Sequence, residues 1–148
     1  MKPISVAAGL LIAGLLVACS NVPYAKRTSD LLAAYTAAAG APVKSFHFFS
    51  PLYSWQSLSD TQLVVYTKSR EAYLLDLDAC QDLQFTNGIA LTSYYGRVEV
   101  GFDRVLTQRH RIPCVISQIR PVDMVHLKAV QQAQRKVEED PRPATATQ

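Results

Sequence analysis

An excess of charge of one sign is the first thing this 148-residue sequence lacks: 15 Lys and Arg face 12 Asp and Glu, a net +3. A nucleic-acid binder normally shows its basic stripe in such totals, so nothing points to a nucleic-acid partner. Charged residues make up only 18% against 49% apolar, which excludes a wholly disordered chain. The length suits one domain and is too short for two of the usual size. Catalytic signatures are missing as well. There is no G-x-S-x-G elbow, H-E-x-x-H helix, Walker loop or G-x-G-x-x-G turn. No repeat recurs at a 20–50-residue period, and after the first 18 residues no apolar run approaches the length of a membrane span.

What is present begins with those 18 residues. Thirteen of them are apolar and Lys2 carries the only charge, the layout of a secretory signal. A transmembrane helix is the competing reading, but about 15 helical residues reach only ~22 Å of a ~30 Å hydrocarbon core. The run ends in Leu16-Val17-Ala18-Cys19-Ser20, which resembles the lipobox of bacterial lipoproteins. The resemblance implies that Cys19 is lipidated and becomes the first residue of the mature chain. Ser rather than Asp follows the Cys, which under the sorting rules of such lipoproteins implies the outer membrane. One acyl chain binds membrane marginally and several bind it in effect permanently, so the membrane is the first expected partner. With Cys19 assigned to lipid, Cys80 and Cys114 remain as an even pair in an oxidising compartment, and a disulfide is the simplest account. It would close a loop of 35 residues, worth about 3.8 kcal/mol by chain-entropy arithmetic.

The rest of the chain divides by period. Residues 19–27 read as a polar tether, 28–137 as a single domain, and 138–148, with Pro141 and Pro143, as a disordered tail. Thr28 or Ser29 would cap a helix whose face is Leu31, Ala34, Tyr35, Ala38 and Ala39, ended by Gly40 and Pro42. From Val43 the period is two. Phe46 and Phe48, then Tyr53 and Trp55, fall on alternating positions. Leu63-Val64-Val65-Tyr66-Thr67 suits a strand buried on both faces, and Lys68-Ser69-Arg70-Glu71 connects it to Tyr73, Leu75 and Leu77 as a hairpin. Val98, Val100 and Phe102 share a face, and Ile112, Cys114 and Ile116 make the last strand. Asp123 would cap a final helix through about Val137. Six or seven short strands with a helix at each end give a mainly β, α+β fold. The expected form is a small curved antiparallel sheet or barrel-like domain with one disulfide.

Few residues suggest chemistry. His47 beside three Phe reads as a packed, hydrogen-bonded side chain, and His126 as a solvated one. Asp76, Asp78 and Asp82 form D-x-D-x-x-x-D, but an EF-hand register puts Gln81 and Asn87 where Gly and Glu are required. A solvated polar face is therefore expected, with no metal and no cofactor. Two segments could form a binding surface: the aromatic turn with Tyr94, Tyr95 and Arg97, and the basic loop with Arg109 and Arg111, whose guanidinium forks suit phosphate. The bland alternatives are a packed Tyr and a charged hairpin tip that blunts edge association.

Trp55-x-x-Leu58, Ala72-Tyr73-Leu74-Leu75-x-Leu77-x-x-Cys80, Gly101-Phe102-Asp103-x-Val105 and Cys114-x-Ile116-x-x-Ile119-Arg120-Pro121-Val122-Asp123 occur in that order. Together they resemble a domain family of unknown function found in small secreted or lipidated proteins of proteobacteria. The resemblance spans residues 46–127, supports the domain limits and the Cys80–Cys114 pairing, and implies no activity. Asp103 and Asp123 are expected to pair with Arg104 or Arg120. The expected function is that of a lipid-anchored, periplasm-facing envelope lipoprotein, a non-catalytic binding or structural module. Its partner would be an envelope protein, a glycan or a lipid headgroup. The alternatives are a small envelope enzyme using Asp103, Asp123 or His110, and an inhibitor of a host lysozyme or protease.

Overall fold

The computed structural model describes residues 23–49, 51–78, 80–108 and 111–139. The apolar leader, Cys19 and the first part of the tether lie outside the described residues, as do Arg109, His110 and the chain from 140 onward. The elements in order are helix α1 (Tyr24–Ala38), strands β1 (Ser45–His47), β2 (Ser54–Ser57), β3 (Gln62–Lys68) and β4 (Glu71–Asp78), a 3-10 turn (Leu83–Phe85), strands β5 (Ile89–Leu91), β6 (Arg97–Glu99), β7 (Arg104–Thr107) and β8 (Cys114–Val122), and helix α2 (Met124–Glu139).

Six strands pair antiparallel in the order β2-β3-β4-β8-β7-β5 and curl into a half-barrel, flanked by the two helices as the alternating pattern and its flanks implied. β1 and β6 form a separate two-stranded ribbon, Phe46 opposite Val98. The central strands β3, β4 and β8 are buried on both faces. On one side Leu63, Val65, Leu75, Leu77, Ile116 and Ile119 meet Phe46, Phe48 and Val98 of the ribbon. On the other, Val64, Ala72, Leu74 and Val122 meet Ala34, Tyr35 and Ala38 of α1 and Leu127 of α2. The result is three layers: ribbon, sheet and helix pair. Each fully buried Leu contributes roughly 2–3 kcal/mol of apolar transfer, so β3 and β4 draw stability from both sides.

Local chemistry explains the joints. Between β3 and β4, Ser69 and Arg70 make the turn, and Lys68 reaches Glu71 at 2.7 Å across its base. The disulfide joins Cys80 to Cys114 with Cα atoms 4.9 Å apart, tying the chain just past β4 to the first residue of β8. Both cysteines are buried in the ribbon-side core. At the start of α2, Asp123 Oδ1 accepts from the backbone N–H groups of Val125 and His126 at 2.9 and 3.0 Å, the expected N-cap.

Four expectations need correction. Helix α1 starts at Tyr24, inside the stretch read as tether, because the Thr28 and Ser29 hydroxyls donate back to the Tyr24 and Lys26 carbonyls and cap nothing. The run 98–102 is not one strand: β6 stops at Glu99, Gly101 takes φ +79°, and Phe102 is left exposed. β8 begins at Cys114, so Ile112 is outside it and exposed. His47 is exposed as well.

Candidate functional site

The carboxylates singled out for chemistry are occupied by structure. Asp103 accepts from the Thr92 hydroxyl at 2.7 Å and from the Glu99 backbone N–H at 2.8 Å, bracing the turn from β6 to β7. Arg104 donates to the carbonyls of Gly101 and Phe102 in the same turn, and pairs with no carboxylate among the described ion pairs. Asp123 is held by its two cap amides, which keep its carboxyl below the usual range. Arg120 pairs with neither; its Nη2 donates to both oxygens of Asp76, at 3.1 and 3.3 Å. Gln62 Nε2 adds a third hydrogen bond to Asp76 at 2.6 Å. Asp76 is therefore not the solvated side chain its motif suggested, and Asp78 is exposed beyond it. Among the described residues, no three of His, Cys, Asp or Glu converge as a metal site.

The aromatic turn has a definite geometry. Tyr94 and Arg97 exchange backbone hydrogen bonds at 3.0 Å, and the two residues between them, Tyr95 and Gly96, have φ +48° and +73°. Both central residues with positive φ make this a type I′ turn, which normally selects Asn-Gly. Gly96 is required, since a Cβ there would sit 2.6 Å from the Phe48 carbonyl oxygen. Tyr94 and Tyr95 are exposed and pack edge-to-face on each other with ring centres 4.5 Å apart. Arg97 forms an ion pair with Glu99. Arg111 is also exposed, but it follows the Thr107 end of β7, whereas Thr92, leading into the aromatic turn, pairs at the Arg104 end. Tyr94, Tyr95 and Arg97 thus share one turn, and Arg111 belongs to a different one.

Two clefts hold more concentrated chemistry. One, about 300 Å³, lies between β1 and the β3–β4 turn. Its Glu71 is engaged by Lys68 and by the Tyr73 hydroxyl at 3.2 Å, and the Lys68 contact chiefly lowers its carboxyl below the usual range. Tyr73 stacks on Phe46 with ring centres 4.5 Å apart, and burial pushes its phenol up.

The second cleft, about 610 Å³, opens where α1, the β3–β4 turn and the start of α2 meet. Small Ala34 and Ala38 let α1 lie close on the sheet, and between them Tyr35 reaches across to Tyr66 of β3. The two phenol oxygens are hydrogen-bonded to each other. Burial, reinforced by this contact, raises the Tyr35 phenol far above its ordinary value, so it stays protonated. Arg70 enters from the turn and Lys128 from α2, while Met124, Val125 and Leu127 form the apolar wall. Among the described residues, no Asp or Glu lines this cleft.

Residues 2–138 match a family of unknown function (DUF6491). The chain belongs to that family. The match runs well beyond the 46–127 stretch whose motifs carry the resemblance, and takes in α1, all described strands and all but the last residue of α2. No curated protein and no solved structure matches the chain. Family membership therefore covers nearly all of the described fold and names no activity.

Of the residues around the second cleft, none of Tyr35, Tyr66, Arg70 and Lys128 stands out in the sequence. Tyr35 looks like one more apolar position of α1, and Tyr66 like one more β-favouring residue. The usable signal is chemical: a tyrosine on a buried helix face needs a partner for its hydroxyl, and Tyr66 is the tyrosine on β3's helix-facing side.

Proposed function

We propose that the chain is a lipid-anchored envelope protein whose folded domain is a non-catalytic binding module, tethered through Cys19 to the periplasmic face of the outer membrane. The observation that carries this reading is the pairing of Cys80 with Cys114. It suits an oxidising compartment and leaves Cys19, at the end of the apolar run, as the single cysteine free for a lipid. The early start of α1 fits as well. Tyr24 is five residues after Cys19, so the anchor would sit within roughly 18 Å of the folded domain even if the intervening chain were fully extended.

The test is metabolic labelling with a palmitate analogue followed by fractionation. The native chain should carry label and partition with membranes. Cys19→Ala should lose both, and a Cys19→Ala chain that still labels would overturn the proposal.

A further inference from the structure

The second cleft brings a phenol pair and two cationic side chains to one place. Tyr35 and Tyr66 carry two phenolic protons and share one hydrogen bond, so one O–H is left with no acceptor among the described residues. Arg70 and Lys128 line the same space, and neither forms an ion pair among the described residues. A spare phenolic donor, a guanidinium and an ammonium line one cleft with no Asp or Glu among its described lining residues, beside the apolar wall of Met124 and Leu127. The volume of about 610 Å³ is that of a small-molecule site.

We propose that this cleft binds a small amphipathic oxyanion, a phosphate monoester with an aliphatic body. The guanidinium of Arg70 takes two of its oxygens and Lys128 supplies a point charge. The free phenolic O–H donates to a third oxygen, and the aliphatic part lies against Met124 and Leu127. Such a group could reach the cleft as a dissolved molecule or as a lipid headgroup, and the position of the cleft favours the dissolved one. The start of α1 lies beside Gln56 and Ser57, whereas Tyr35 is eleven residues further along the helix, about 16 Å away. If Cys19 is the anchor, the cleft lies toward the end of α1 further from it. That placement rests on the proposed function; the cleft's chemistry does not.

Calorimetric titration of the full chain in neutral detergent tests the proposal, with hexyl phosphate, inorganic phosphate and phosphatidylglycerol vesicles as probes. Hexyl phosphate should bind with a sub-millimolar Kd that weakens about tenfold in Arg70→Gln and in Lys128→Gln, and several-fold in Tyr66→Phe. Inorganic phosphate should bind at least tenfold more weakly, for want of the apolar contact. Each variant should keep the native circular dichroism spectrum, because Arg70 and Lys128 are exposed and Tyr66→Phe removes only an oxygen. No hexyl phosphate binding at 10 mM, or equal affinity in the Arg70→Gln/Lys128→Gln double variant, would overturn the site. Binding to vesicles alone, lost in the same double variant, would overturn the dissolved ligand in favour of a headgroup. Cys19→Ala should bind hexyl phosphate as the native chain does, so failure of the anchor and failure of the cleft are read separately.

Discussion

Reducing the Cys80–Cys114 disulfide should lower the melting temperature by about 15 °C while leaving the native fold intact. The bond closes a sequence separation of 34, and the loop holds the 3-10 turn, β5, β6 and β7. Cross-linking a loop of that length removes about 3.8 kcal/mol of conformational freedom from the unfolded chain at 25 °C. A folded span of about 115 residues has an unfolding entropy of roughly 0.24 kcal/mol/K, so the two figures convert to a shift near 15 °C. The native state should barely respond, because β4 and β8 are already paired up to Asp78 and Val115, next to the cysteines. The assay is thermal unfolding by circular dichroism, with and without reductant, on protein whose oxidation state is checked by mass spectrometry. Two results would refute the reasoning. A shift under about 4 °C would mean the unfolded chain is restrained by something else. Loss of the sheet signal at 20 °C on reduction would mean that the bond holds the native state itself.

The aromatic turn gives a paired prediction. Tyr95→Asn should stabilise the protein by about 1 kcal/mol, since Asn tolerates φ +48° better than Tyr, whereas Gly96→Ala should cost about 2 kcal/mol or more through its clash with Phe48. Urea midpoints moving in the same direction for both would contradict the turn assignment. Asp123→Ala should lower the melting temperature at neutral pH. Its folded carboxyl lies below the unfolded value, so its contribution is complete above the unfolded pKa near 4 and fades as pH falls through the folded one. Native and variant curves should therefore converge under acid, and a gap that persists at pH 2 would show that Asp123 acts by other means.

Legibility in the sequence followed the range of each interaction. The β3–β4 hairpin, with its polar stretch Lys68–Glu71 and doubly apolar strand, is written in consecutive residues, although its turn is only Ser69 and Arg70, and so is the Asp123 cap. The start of α1 is hidden in the sequence because Thr28 and Ser29 have the chemistry of caps but spend their hydroxyls on carbonyls of the same helix. The run 98–102 keeps perfect alternation through a turn that only the positive φ of Gly101 reveals. Arg120 has Asp123 three residues away in the chain, yet its partner, Asp76, is 44 residues away. The second cleft is the least legible feature, because Tyr35, Tyr66, Arg70 and Lys128 come from four separate elements. No period links them; only the packing of α1 and α2 on one face of the sheet does.

The doubly buried centre of that sheet creates a problem of uniqueness. In most strands a one-residue slip throws apolar side chains into water, and this penalty selects the register. On β3 the penalty is small, because Leu63, Val64 and Val65 are apolar in succession and both faces are covered. The choice falls instead to Gln62, Asp76 and Arg120, one residue on each of three neighbouring strands, joined by hydrogen bonds on the helix-facing side. A slip of β4 by one position would drive the Asp76 carboxylate into the ribbon-side core and strand the guanidinium of Arg120 without a counter-ion. These three polar residues act as an alignment key, excluding the neighbouring registers that the apolar residues on either side would accept.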